Sequence, residues 1–222
     1  MLKQKKLALG LVLSLAISTA FAAPITGSVD SDPGDGLIAS RPWDRGNAEI
    51  EWRVTLLPNN LWKYEWEVEV EDRDIAYSIF QVGTGFTTAN VLPGTTAGWS
   101  LGTFGTTSNA GLPRPITGIR FPGSGEEDRL VLFTDFVPGG GDVYIRGESH
   151  RGSATYAFHD AFGSTTASVT GHHEANNFIF VPMGAPTHVS EPKQLALLGL
   201  GVLMLSSMSN IGGKRRTKGA TL

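Results

Sequence analysis

The chain has 222 residues, with 18 Lys or Arg, 21 Asp or Glu and no cysteine, which excludes a disulfide, a cysteine-ligated zinc and a thiol nucleophile. Segments 1–22 and 189–222 contain eight of the basic residues and only one acid, Glu191. The segment between them, 23–188, therefore carries ten basic and twenty acidic side chains, which argues against binding nucleic acid or anionic lipid by phosphate neutralisation.

The N-terminus has the three parts of a secretory signal peptide in the right order. They are the positive residues Lys3, Lys5 and Lys6, the apolar run 7–17 and the small-residue cleavage site Ala20-Phe21-Ala22. This order predicts a signal peptide over residues 1–22, removed on export through the secretion translocon. Residues 23–188 are long enough for one exported domain with a hydrophobic core.

Residues 24–42 are rich in Gly, Pro, Ser and Asp, and we expect a loop or lead-in there. Within it, Asp30, Asp32 and Asp35 are spaced somewhat like the ligands of a calcium loop. The spacing departs from the EF-hand template, since the third acid comes one place late and Arg41 stands where the bidentate Glu belongs. The sequence therefore leaves two alternatives, an irregular structural calcium site and a solvated turn.

The clearest strands follow. Apolar and polar residues alternate over 48–57 and again over 62–71, with Pro58-Asn59-Asn60 between them. Alternation with period two is typical of a strand with one buried face, and the intervening residues favour a turn. We expect an antiparallel hairpin with its aromatic face toward the core.

Beyond residue 72 the apolar runs are shorter and separated by Gly- and Pro-rich breaks, one of them Pro138-Gly139-Gly140-Gly141. The candidate strands are 75–82, 98–104, 116–121, 129–136, 143–146, 154–158 and 177–181. No sustained helical period is present in the exported segment. The pattern predicts an all-β domain of roughly eight to ten strands, a β-sandwich or jelly roll.

Glu67, Glu69 and Glu71 occupy alternate positions of one predicted strand, so their carboxylates face the same way. Retaining glycosidases use two carboxylates about 5 to 5.5 Å apart, and a Glu-x-Asp-x-Glu strand in one jelly-roll glucanase family is similar to this stretch. Lys63 and Glu65 continue the same charged stripe, however. A solvated outer face is therefore our main interpretation of this strand, and a secreted glycosidase is the alternative.

Aromatic and histidine side chains supply the remaining candidates. Trp43, Trp62 and Trp99 fall near predicted strand ends or loops, where they could stack on sugars or pack in the core. The five histidines are His150, His159, His172, His173 and His188. None forms a His-x-x-x-His pair, so we predict neither a metal site nor a catalytic residue among them.

The C-terminal segment 189–222 has three parts. Ser190-Glu191-Pro192 is followed by an uncharged, Leu- and Gly-rich run over 194–213 and then by a basic tip, Lys214, Arg215, Arg216 and Lys218. About twenty uncharged residues are long enough to cross a bilayer as a helix. The basic tip predicts that the C-terminus stays in the cytoplasm and the domain lies outside.

This ending resembles the PEP-CTERM sorting signal of Gram-negative bacteria, with Ser190 in place of the first proline. The resemblance implies processing by an exosortase-type membrane enzyme and delivery to the cell surface or extracellular matrix. We therefore expect a non-enzymatic surface or biofilm-matrix protein with no cofactor, held first in the inner membrane. Extracellular polysaccharide is its candidate ligand.

Overall fold

The computed structural model describes residues 22–149, 153–159, 162 and 179–184. The predictions for residues 1–21 and for the sorting signal lie outside these residues, as do those for His150, His172, His173 and His188. The described part of the chain is all-β, with twelve strands, a single 3-10 turn at Thr88–Asn90 and no α-helix. None of its segments is a helix of the length and apolarity that crossing a membrane requires.

Four antiparallel strands form the first sheet. In sheet order they are β1 (Ile25–Asp30), β3 (Ala48–Leu56), β4 (Trp62–Val70) and β8 (Glu127–Thr134). The predicted hairpin is confirmed as β3 and β4, in a register that sets Trp52 opposite Trp66 on the inner face.

Six antiparallel strands form the second sheet. In sheet order they are β2 (Leu37–Ala39), β11 (Tyr156–His159), β10 (Val143–Gly147), β5 (Ile75–Gln81), β7 (Ile116–Pro122) and β6 (Ser100–Phe104). Strands β5, β6, β7 and β10 lie close to their predicted positions, because their apolar runs end at Gly- or Pro-rich turns.

The inner faces of the two sheets share one hydrophobic core. At its centre the Trp66 ring of β4 stacks on the Phe80 ring of β5, with 4.2 Å between ring centroids. The Trp66 indole Nε1 also donates a hydrogen bond to the Phe180 carbonyl at 3.1 Å. Burial of such aromatic side chains contributes roughly 1.5–3 kcal/mol each, so this contact is a main link between the sheets.

A third, two-stranded sheet corrects one prediction. The Gly- and Pro-rich break at residues 138–141 is in fact strand β9 (Val137–Gly141), which pairs with β12 (Ile179–Gly184). Its glycines allow close packing, since a Cβ on Gly141 would lie 2.4 Å from Val181 Cγ2. Glycine within a strand here indicates a close approach of neighbouring groups, where the sequence had suggested a turn.

The predicted loop over residues 24–42 is also wrong, because β1 and β2 both lie within it. Strand β1 has a weak apolar signal, since its inner-face position Gly27 lies beneath the Trp52 ring, where a Cβ would be 2.4 Å from Trp52 Cζ2. Strand β2 has only three residues. Both strands depend on long-range pairing, which the local pattern does not show.

Candidate functional site

The outward side chains of β1, β3, β4 and β8 form the acidic face. Its strands contain eight acidic and three basic residues. Strand register places Asp30, Glu49, Glu69 and Glu127 in one row across all four strands. Burial and the neighbouring carboxylates of Glu51, Asp30 and Glu69 raise the pKa of Glu49, so this row is electrostatically strained.

One arginine partly neutralises the acidic face. Arg129 Nη2 lies 2.7 Å from Glu67 Oε1, and its Nε donates a hydrogen bond to Glu127 Oε1 at 2.9 Å. Carboxylate oxygens of Glu67, Glu69 and Glu127 all lie within 4.8 Å of one another. These three are a group whose carboxylates could hold a cation on the open surface of the sheet.

The carboxylates that come together are therefore not the predicted trio of Glu67, Glu69 and Glu71. Glu67 and Glu69 share the outer face of β4, whereas Glu71 lies beyond the end of that strand. The third carboxylate is Glu127 of β8, opposite Glu69. Sequence reasoning missed it because only the register of β4 against β8 brings the two residues together.

The three predicted glycan-contact tryptophans have different environments. Trp43 is fully buried, and the Gly147 backbone lies so close that a Cβ there would be 2.8 Å from the indole ring. Its ring is not open to a sugar, which corrects that assignment. Trp62 and Trp99 are half-buried and pack against the core with only part of their surface exposed.

The Asp30, Asp32 and Asp35 side chains come together, with carboxylate oxygens within 4.8 Å of one another. Hydrogen bonds close their loop, including Asp32 N–H to Asp30 Oδ1 at 2.7 Å and Asp35 N–H to the Asp32 carbonyl at 3.1 Å. These carboxylates are the residues that would hold a calcium ion. The same hydrogen bonds are those of a self-contained turn, so both sequence alternatives fit the loop.

An open cleft of about 540 Å³ lies where loops meet at one end of the sheets. Its lining is Pro42, Asp72, Arg73, Asp74, Glu126, Glu148 and Ser149. The Arg73 guanidinium donates a hydrogen bond to Thr155 Oγ1 at 2.8 Å. Sequence reasoning missed this acidic cleft because its residues come from distant turns.

Among the histidines, His159 lies in the described part of the chain and is fully buried on β11.

The outer side of the second sheet has a different chemistry, and we call it the aromatic–arginine face. It carries Tyr77 of β5, Phe104 of β6, Arg120 of β7, Tyr144 and Arg146 of β10, and Tyr156 and Phe158 of β11. None of the six strands contains Asp or Glu. The Arg120 guanidinium carbon lies 5.4 Å from the ring centroids of both Tyr77 and Phe104.

Segment 105–115 covers part of this face, since its Leu112 joins Ile79, Ile116 and Tyr144 in a second buried hydrophobic cluster. The Tyr77 hydroxyl donates a hydrogen bond to Asn109 Oδ1 and the Tyr144 hydroxyl donates one to the Ala110 carbonyl, each at 2.7 Å. Burial raises the pKa of Tyr144 to about 12. Burial also raises the pKa of Tyr77, while the positive charges of Arg146 and Arg120 oppose that shift.

The fold and these surfaces define an all-β protein whose two outer faces differ in charge and chemistry. No protein-family model, curated protein or solved structure matches the chain.

Proposed function

We propose that the chain is an exported, non-enzymatic protein of the cell surface or extracellular matrix, with a β-sandwich domain of jelly-roll-like type. The observation that carries this proposal is the pair of chain ends, a signal-peptide pattern and the Ser190-Glu191-Pro192, apolar and basic series, on either side of an all-β domain. The core shared by the first and second sheets supports the sandwich class.

The chain ends suggest the order of events. The apolar run 194–213 holds the exported protein in the inner membrane, while the basic tip 214–218 stays in the cytoplasm. An exosortase-type enzyme then cuts near residues 190–192. The acidic domain leaves the membrane for the surface or matrix of a Gram-negative cell.

A two-tag experiment in such a host tests this order. One epitope tag is placed inside the domain, at the exposed Pro58-Asn59 turn, and one after Leu222. We expect the domain outside the inner membrane with a mass that corresponds to cleavage near residues 190–192 and without the second tag. Both tags together in the inner membrane would reduce the ending to a plain anchor and contradict sorting.

A secreted glycosidase is the alternative, favoured by one observation. Carboxylate oxygens of Glu67 and Glu69 lie within 4.8 Å of each other and of Glu127, so the surface offers neighbouring carboxylates of the kind that retaining enzymes need. The ion pair between Glu67 and Arg129 favours a structural role for these groups instead.

Hydrolysis assays on a polysaccharide panel separate the two proposals. The non-enzymatic protein should release no sugar. If turnover is observed and disappears in Glu67→Gln while surviving in Glu51→Gln, its exposed neighbour across the strands, the glycosidase proposal replaces ours.

Calcium binding stays a separate prediction, confined to the Asp30, Asp32 and Asp35 loop. Thermal unfolding in calcium and in chelator checks it. Asp32→Asn is the matched variant, because it removes one charge from an exposed side chain while keeping its size. A calcium-dependent rise in the unfolding midpoint that this variant loses supports the site, and equal midpoints identify a solvated turn.

A further inference from the structure

Arg120 on the aromatic–arginine face is exposed and held between two rings. Its guanidinium carbon is 5.4 Å from the Tyr77 and Phe104 centroids, a distance at which cation–π attraction operates. Among the described residues, no carboxylate lies within ion-pair distance of Arg120. Within the part of the chain that the structure describes, the Arg120 guanidinium is thus held by two rings and has no carboxylate partner.

A second cation lies on the other side of the same tyrosine. Strand register places Arg146 of β10 directly opposite Tyr77 of β5, and Arg120 of β7 opposite Ile79, two residues further along β5. Both charges act on the Tyr77 phenol. Two arginines therefore flank one aromatic side chain on neighbouring strands.

Apolar surface continues from these arginines to the edge of the sheet. The Tyr156 and Phe158 rings are stacked with 6.2 Å between centroids, and both are half-buried, because the Gly111 backbone lies against Tyr156 and the Phe162 ring against Phe158. Ile38 of β2, opposite Phe158, is 48% exposed and is the large hydrophobic residue that stands out as exposed in the described part of the chain. Exposed apolar area beside cations is typical of a binding surface.

The distribution of charge over the two sheets adds an electrostatic argument. The strands of the first sheet hold eight acidic residues, whereas those of the second sheet hold none and two arginines. An anionic ligand is therefore repelled by the acidic face and attracted to the other outer face. Charge complementarity therefore favours a negatively charged partner for the aromatic–arginine face.

We propose that the aromatic–arginine face binds an acidic polysaccharide, one whose sugar rings carry carboxylates. Arg120 pairs with a carboxylate, and Arg146, whose Nη2 donates a hydrogen bond to Ser149 Oγ, adds positive charge beside it. Phe104 and the uncovered parts of Tyr156 and Phe158 contact the apolar faces of sugar rings. This inference rests on the proposed function, for which it names the ligand class and the surface.

A polysaccharide fits this face better than a second copy of the chain does. The acidic face of another copy offers carboxylates on flexible glutamates, but its central strands β3 and β4 turn only charged and polar side chains outward. A uronic acid polymer presents an anionic group and a flat apolar ring face in every unit. It therefore satisfies both the arginines and the aromatic rings.

Binding of the full-length chain, purified in mild detergent, to alginate tests the proposal, with neutral dextran as the comparison polymer. We expect saturable binding to alginate that weakens as salt rises. Arg120→Gln should lower the affinity for alginate about tenfold or more, because one charge-assisted contact is lost. Arg53→Gln is the matched control, because it removes the same charge from an exposed position on the acidic face and should change binding less than about twofold.

Other outcomes overturn the proposal. Equal weakening by both substitutions would mean nonspecific charge attraction, and dextran bound as well as alginate would mean a ligand without acidic groups. If Arg120→Gln instead abolishes self-association measured without polysaccharide, the face contacts a second copy.

Should this variant unfold, Arg120→Lys replaces it, since it keeps the charge and loses the planar contact with both rings. No binding to either polymer refutes this inference alone, because sorting is judged separately by the two-tag experiment.

Discussion

Tyr144 shows how one buried side chain links the aromatic–arginine face to stability. Its ring is fully buried and its hydroxyl donates a hydrogen bond to the Ala110 carbonyl. Burial raises the folded-state pKa to about 12, from an ordinary value of 10.0. The folded protein therefore keeps this proton at pH values where the unfolded chain has begun to lose it.

We predict that stability falls as pH rises from 10 towards about 12, and that Tyr144→Phe makes this fall shallower. Between these values the unfolded state binds fewer protons than the folded state, so the free energy of unfolding decreases with pH. Urea unfolding at several pH values checks the slope. At pH 7 the same variant should lose only about 1 kcal/mol, the contribution of one hydrogen bond. If the free energy of unfolding falls as steeply with pH in Tyr144→Phe as in the unmodified protein, a raised pKa of Tyr144 is contradicted.

Glu127 and Arg120 illustrate what isolated residues could not reveal. In the sequence Glu127 is one acid among several near a turn, and Arg120 is one basic residue in an apolar run. Only the partner strands give them neighbours, Glu69 in one case and the Tyr77 and Phe104 rings in the other. For Trp43 the sequence left two alternatives, stacking on a sugar and packing in the core, and the structure buries it.

At the scale of whole strands, the row Asp30, Glu49, Glu69 and Glu127 is a source of repulsion. We predict that Glu49→Gln raises the unfolding midpoint at pH 7 in low salt, because it removes a charge from the middle of the row. The corresponding increase in the free energy of unfolding should be below about 1 kcal/mol, and it should be smaller in high salt.

The matched control is Glu65→Gln on the same face. Glu65 lies opposite Arg53 and forms an ion pair with Lys63, so neutralising it should bring no gain. A gain of equal size in both variants would assign the effect to overall net charge and contradict the specific repulsion in the row.

Attachment of β12 to the two larger sheets depends on a glycine. Gly83 follows β5, and its N–H donates a hydrogen bond to the Pro182 carbonyl at 2.8 Å. A Cβ at Gly83 would lie 1.9 Å from the Met183 carbonyl oxygen, so the backbones would have to separate. Close approach of two backbones is a common reason for glycine at such a position.

We predict that Gly83→Ala destabilises the domain by about 1 to 3 kcal/mol, through overpacking and the lost contact with β12. Gly102→Ala on β6 is the control, since a Cβ there has no atom within 4 Å, and its effect should be small. Chemical unfolding of the two variants measures the difference. Equal stabilities of the two variants would show that β12 can shift without lowering the stability of the domain.

For the molecule as a whole, sorting and folding should be separable. We predict that Glu191→Gln combined with Pro192→Ala leaves the C-terminal tag attached and the protein in the inner membrane. The unfolding midpoint of the domain should not change, because both residues lie beyond β12, the last described strand.

Ser190→Pro is the complementary variant, because it restores the proline usual in the family that this ending resembles. Its processing should be at least as fast as that of the natural chain, measured by the tag ratio over time. Slower processing would indicate that Ser190 is itself recognised. Normal processing of the double variant would contradict a role for the Glu191-Pro192 pair.

The sequence by itself determined the all-β class and the β3–β4 hairpin, since alternation with period two is a local property of an extended chain with one buried face. It also supports the predictions for both chain ends, which depend on the order of charged and apolar segments. Strands β1 and β9 were not predicted because Gly27, Gly139 and Gly141 lack the apolar side chains that mark a buried face. Strand β2 was not predicted because it has only three residues.

Tertiary structure alone decided which strands are neighbours. Strand order and register separated acidic residues from the aromatic–arginine face, brought Glu127 beside Glu69, and placed Arg120 between two rings. These pairings join residues distant in the chain, and their energies come from the packing of the shared core around Trp66 and Phe80. A local pattern carries no information on register between distant strands, so the two faces could be recognised only in the folded molecule.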